Sequence, residues 1–111
     1  MRSLVVWRFC YRLLLFIAYP WVRLRLRLRR RRETEYGERV SERFGDVPAS
    51  VPENPIWFHT VSAGEAIAAA PLISQLIREF PEVPFLVTTM TPTGSAQVGA
   101  RLSDAVAHCY A

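Results

Sequence analysis

The chain has no lysine, and no acidic residue stands before Glu33. Cysteine and histidine are scarce too. Cys10 and Cys109 sit near opposite ends without C-x-x-C or metal-ligand spacing, so they read as reduced structural thiols and not as a disulfide framework. His59 and His108 are isolated, which gives no basis for a zinc site, and neither a metal nor a cofactor is expected. The glycine patterns G-x-G-x-x-G and G-x-x-x-x-G-K-[ST] do not occur, which excludes a dinucleotide fingerprint and a P-loop. A long uninterrupted apolar run is missing as well. The run from Leu13 to Val22 is 10 residues long and contains Pro20, short of the about 20 residues that an ordinary membrane span wants.

What is present is 111 residues, 50% hydrophobic, enough for one domain with a modest core and unlike a disordered or collagenous chain. The formal charge of +4 hides two unlike halves. Residues 1–32 hold ten arginines and no acid, +10, whereas residues 33–111 set four arginines against ten acids, −6. Every cationic side chain is arginine, whose planar fork suits carboxylates and phosphates.

The stretch "VRLRLRLRRRR", Val22 to Arg32, alternates at period two like a half-buried strand, while its charge suits nucleic acid or anionic lipid. Its surroundings decide between these. Leu4 to Val22 is apolar and aromatic, broken by Arg8 and Arg12. At about 3.6 residues per turn, Arg8, Arg12, Arg23, Arg27 and Arg30 fall on a related side and Leu4, Phe9, Leu13, Phe16 and Ile17 supply an apolar face. Trp7, Tyr11, Tyr19 and Trp21 suit a headgroup region. A cleaved signal peptide is disfavoured, because proline and arginines follow the apolar core where a small-residue cleavage site would stand. The expectation is therefore an uncleaved anchor on an anionic membrane, with a short signal-anchor helix as its variant. Its membrane-binding residues are Trp7, Arg8, Arg12, Trp21, Arg23, Arg25, Arg27, Arg29, Arg30, Arg31 and Arg32, with Arg23 to Arg32 on the cytoplasmic side. A nucleic-acid partner is not expected, given the apolar preface and the acidic remainder.

Residues 33–55 read as a short helix, "ETEYGERVSERFG", ended by Gly45, and then a Pro-rich linker. Residues 56–111 change character. "IWFHTV" and "VPFLVTTM" read as buried strands, "AVAHCYA" as the start of a third, and the segments between them have helical spacing. Alternation of this kind predicts an α/β fold, a partial Rossmann-like βαβαβ unit with a parallel sheet and helices on both faces. Such a unit leaves a strand edge and apolar surface uncovered, so the chain looks unfinished at Ala111. Two loops, "TVSAGE" and "TMTPTGS", are expected at the carboxyl ends of strands, where ligands bind in such sheets.

In the first loop Ser62 and Glu65 have S-x-x-E spacing, which is the pattern of a capping box. The same Glu65 can instead face a cleft and accept a proton from a substrate hydroxyl. In the second, Thr91, Thr93, Gly94 and Ser95 crowd a helix start with hydroxyls and amides suited to a phosphate or sugar. Ordinary capping by Thr93, with Gly94 relieving the turn, explains that pattern equally. His59 reads as a hydrogen-bonded core residue.

Taken in order, the arginine-rich anchor, "ERVSERFG", "WFHTVSAGEAIAAAPLI", "FPEVPFLVTTMTPTGSAQV" and "VAHCYA" resemble the amino-terminal part of the bacterial 3-deoxy-D-manno-octulosonic acid (Kdo) transferases. The resemblance implies the amino-terminal half of a GT-B fold on the cytoplasmic face of the inner membrane. It further implies transfer of Kdo from CMP-Kdo to the phosphorylated lipid A precursor during lipopolysaccharide biosynthesis. Glu65 would be the catalytic base, and Ser62, Gly64, Thr91, Thr93, Gly94 and Ser95 would line the acceptor side. The donor domain of such enzymes is not among these residues, so the chain alone is expected to be inactive. The alternative is a non-enzymatic membrane-surface adaptor that uses the basic anchor.

Overall fold

The computed structural model describes residues 2–31 and 34–111, which form two compact units, Met1–Glu38 and Arg39–Ala111. The first unit is built on one long helix, α1 (Arg2–Arg30), followed by a 3-10 turn at Thr34–Gly37. At 29 residues α1 is long and apolar enough to cross a membrane by length and composition, reaching about 43 Å at the usual rise per residue. The alternating stretch is thus helical up to Arg30, and a helix satisfies its own backbone where no second strand is at hand to pair. Arg32 lies outside the described residues.

Continuous helix changes the expected faces of α1. At about 3.6 residues per turn, Arg25 and Arg29 fall opposite Arg23, Arg27 and Arg30, while Phe9 and Phe16 fall among the latter. Polarity is therefore divided more along the axis than around it. Near the basic end the arginines fold back by one turn, as helical side chains do. Arg23 donates to the Tyr19 hydroxyl at 3.0 Å and lies 5.6 Å from that ring, and Arg25 lies 5.7 Å from the Trp21 ring. The closing Arg27, Arg29 and Arg30 meet the negative end of the helix dipole.

The second unit is a parallel sheet of β1 (Ile56–Thr60), β2 (Phe85–Thr89) and β3 (Ala107–Tyr110) in the order β1-β2-β3. α2 (Ala63–Glu79) and α3 (Pro92–Leu102) make the crossovers. β2 is central and buried throughout, which its unbroken apolar-and-threonine sequence allows. β1 lies at an edge, so Trp57 is 64% exposed where the sequence pattern promised burial. Ala66, Ala70 and Ile73 of α2, Val87 of β2, and Val98 and Leu102 of α3 form one core, with Phe58 of β1 against it. Both helices therefore cover the same face of the sheet, where helices on both faces were expected. Right-handed crossovers that keep stepping in one direction along a sheet put every helix on one side.

The expected helix before the linker is instead two 3-10 turns, Thr34–Gly37 and Val40–Phe44. Arg39 stands between them with a left-handed backbone, φ 51°, which an α-helix cannot continue through. Gly45 ends the second turn at φ 96°, its amide bonding the Glu42 carbonyl at 3.0 Å.

Candidate functional site

The carboxyl ends of β1 and β2 carry the two loops singled out in the sequence, and the structure joins them. The Met90 amide donates to the Val61 carbonyl at 3.2 Å, extending the β1–β2 pairing by one bond beyond the strands. A Cβ at Gly94 would lie 3.0 Å from Thr91 Oγ1, 3.3 Å from Thr89 Cβ and 3.4 Å from the carbonyl carbon of Ser62. Glycine there lets the starts of α2 and α3 lie against one another. Two positive helix ends side by side favour an anion.

Capping differs from the sequence reading at both helices. Thr91, not Thr93, is the N-cap of α3, accepting from the Gly94 amide at 3.0 Å, with Pro92 filling the first helical turn. Thr93 is exposed and donates its hydroxyl to Thr91 Oγ1 at 3.3 Å. Ser95 is half-buried, its amide bonding the Thr91 carbonyl at 3.0 Å. At α2 the reciprocal box does not form. Ser62 is the N-cap residue but its side chain makes no capping bond, and Glu65 Oε2 accepts from the Val61 amide at 2.8 Å, one residue further back than expected. Glu65 is exposed, and this bond fixes one carboxylate oxygen while leaving Oε1 outside it. Gly64 is exposed beside it.

His59 is hydrogen-bonded, Nδ1 to Thr88 Oγ1 at 2.8 Å, but on the edge strand it is exposed and no core residue. Its register with Thr88 puts it on the sheet face opposite Val87 and the helices. Trp57 Nε1 donates to the same threonine at 2.9 Å.

A cluster that sequence reasoning missed closes the far side of the site. β3 turns Cys109 and Ala111 toward β2, as the Ala111 amide bond to the Thr89 carbonyl at 3.1 Å shows, so His108 and Tyr110 present their backbone groups outward. The Val40–Phe44 turn and its N-cap occupy them. Arg39 donates to the His108 carbonyl at 2.8 Å, and Glu42 accepts from the Tyr110 amide at 2.9 Å. Arg39 and Glu42 are themselves paired at 2.6 Å. Arg43 donates to the Met90 carbonyl at 2.7 Å, and its guanidinium lies 4.3 Å from the Tyr110 ring centre. In the sequence these residues read only as the polar side of a short helix.

Arg39 also approaches His108 Nδ1 at 3.3 Å, and as an obligatory donor it makes that nitrogen the acceptor. Nε2 then carries the proton and donates to Thr89 Oγ1 at 2.9 Å. Burial, and secondarily the Arg39 charge, lowers the His108 pKa from 6.5 to about 4 against a smaller opposing effect of Glu42. Burial, and secondarily the Glu42 charge, raises the pKa of the Cys109 thiol against a smaller opposing effect of Arg39. Among the described residues no cluster of three or more histidine, cysteine or acidic side chains can hold a metal ion.

A family model described as "3-Deoxy-D-manno-octulosonic-acid transferase (kdotransferase)" matches residues 38–111. The chain belongs to the Kdo transferase family. Both joined loops and the Arg39–Arg43 cluster fall inside the matched region. The 3-deoxy-D-manno-octulosonic acid transferase of Haemophilus influenzae is 38% identical over 107 residues, covering 95% of this chain and 25% of that protein. A probable mitochondrial Kdo transferase of Arabidopsis thaliana is 37% identical over 103 residues, covering 91% and 23%. The Chlamydia trachomatis transferase is 44% identical over 54 residues, covering 47% and 12%. The chain thus spans at most about a quarter of the length of these relatives. No solved structure matches it.

Proposed function

We propose that this chain carries the acceptor side and the catalytic base of a membrane-associated glycosyltransferase of GT-B type. The enzyme moves Kdo from CMP-Kdo to the phosphorylated lipid A precursor at the cytoplasmic face of the inner membrane. Residues 1–32 hold it to the anionic surface, residues 33–55 connect, and residues 56–111 begin the Rossmann-like acceptor domain. Glu65 takes the proton of the acceptor hydroxyl as that oxygen bonds to the anomeric carbon of Kdo, and CMP departs with the electrons of the broken bond. Ser62, Gly64, Thr91, Thr93, Gly94 and Ser95 line the acceptor side, where paired helix starts favour a phosphorylated sugar.

The observation that carries this reading is the Glu65 carboxylate, held by the Val61 amide at the start of α2, where α3 begins alongside. Glu65→Gln keeps an oxygen for that amide and removes only the proton acceptor. In the chain extended to the length of its relatives, transfer is expected to fall about 10²- to 10⁴-fold with unchanged circular dichroism. Undiminished transfer by the glutamine variant would remove Glu65 from this role. The 111 residues alone are expected to give no transfer, because the donor subsite of the family is expected outside this quarter.

A further inference from the structure

We infer that Arg43, assisted by Arg39 through His108 and Thr89, is a positioning residue for the loop that joins β2 to α3. The inference rests on the reading of that loop as the acceptor side. Two separate routes run from the Val40–Phe44 turn to adjacent carbonyls of the loop. Along the first, Arg43 donates directly to the Met90 carbonyl at 2.7 Å while its guanidinium packs over Tyr110. Along the second, Arg39 donates to His108 Nδ1, His108 Nε2 donates to Thr89 Oγ1, and the Thr89 hydroxyl points to the Thr91 carbonyl at 3.5 Å. Thr91 then caps Gly94, where a Cβ would lie 3.4 Å from the Ser62 carbonyl carbon. A shift of Met90 or Thr91 is thereby passed to both helix starts and to the α2 end that bears Glu65.

The turn is itself rigidly placed. The Arg39–Glu42 ion pair holds two of the outward backbone groups of β3, the His108 carbonyl and the Tyr110 amide. These bonds span 68 or 69 residues of sequence and are tertiary contacts. Arginine suits the position because it offers a directed donor and a flat face to the ring at once. Lysine retains the charge but lacks that geometry.

Amide hydrogen exchange on the full 111-residue chain tests this without any substrate. In Arg43→Lys, exchange at Gly94 is expected to accelerate roughly tenfold or more, as for loss of one charge-assisted hydrogen bond, while Val87 and Ile73 change less than twofold. Thr89→Val, which spares Arg43 and cuts the second route, is expected to show the same selectivity. Unchanged Gly94 exchange in both variants overturns the inference, and so does a parallel loss at Gly94 and Val87, which marks general destabilisation. In the extended enzyme, Arg43→Lys is expected to raise the acceptor KM more than it lowers kcat; a fall in kcat alone overturns the role. The exchange result stands apart from Glu65→Gln, so a failure of the catalytic reading is not mistaken for a failure of this one.

Discussion

At Gly94 a single hydrogen atom decides whether two helices can start side by side. Alanine there would press on Thr91 Oγ1 and on the Thr89 side chain, both fixed by their own bonds. Gly94→Ala is expected to destabilise by about 1–3 kcal/mol, read from denaturant midpoints at constant slope. Gly99 lies on the exposed side of the same helix with nothing within 4 Å of a Cβ. Gly99→Ala should therefore stabilise by up to about 1 kcal/mol, a contrast that separates space from propensity. His108 gives a residue-scale pH dependence. Its pKa is lowered on folding, so the unfolded chain takes the proton first; stability is full above 6.5 and falls as pH drops toward about 4. His108→Asn should flatten that fall in pH-dependent denaturation curves.

Among elements, the two edges of the sheet are treated differently. β3 is closed in part by side chains of Arg39 and Glu42, which bond its His108 carbonyl and Tyr110 amide. β1 keeps Ile56 and Trp57 exposed. That closure was not legible in "ERVSERFG", because alternating acids and arginines have the same local pattern whether they face water or a strand edge. α1 is legible as an element but not as a set of faces. The leucine–arginine alternation has strand period, and only a continuous helix spreads those arginines around the axis. Cys10 of α1 lies with Leu13, Leu14, Ile17 and Trp21 on one exposed apolar face of the helix. A membrane-impermeant maleimide is expected to label Cys10 on the chain in a cleavable detergent and to lose access after transfer to liposomes. Equal labelling in both would place this part of α1 outside the bilayer.

For the whole molecule, charge is segregated by sequence position: +10 in the first 32 residues against −6 in the rest. Binding to anionic vesicles should follow the first part alone. Flotation with phosphatidylglycerol vesicles is expected to weaken when Arg23, Arg25, Arg27, Arg29 and Arg30 are replaced by glutamine, and to weaken further with salt if the helix lies on the surface. Salt-independent flotation of the glutamine variant would instead assign the attachment to the apolar part of α1.

The sequence by itself determined the strand–helix alternation from Ile56 to Tyr110, the turn at Gly45 and the position of both loops, because hydrophobic period and turn residues act over a few neighbours. It also carried the family, whose model matches residues 38–111. Thr91 capping where Thr93 was expected and Glu65 reaching Val61 are local bonds between residues three and four apart; tertiary structure alone decided that α2 and α3 share one face and that Arg39, Glu42 and Arg43 meet β3 and Met90. Handedness of crossovers, strand order and the competition of distant donors for one acceptor fix those outcomes, and none of the three has a period that a linear sequence displays.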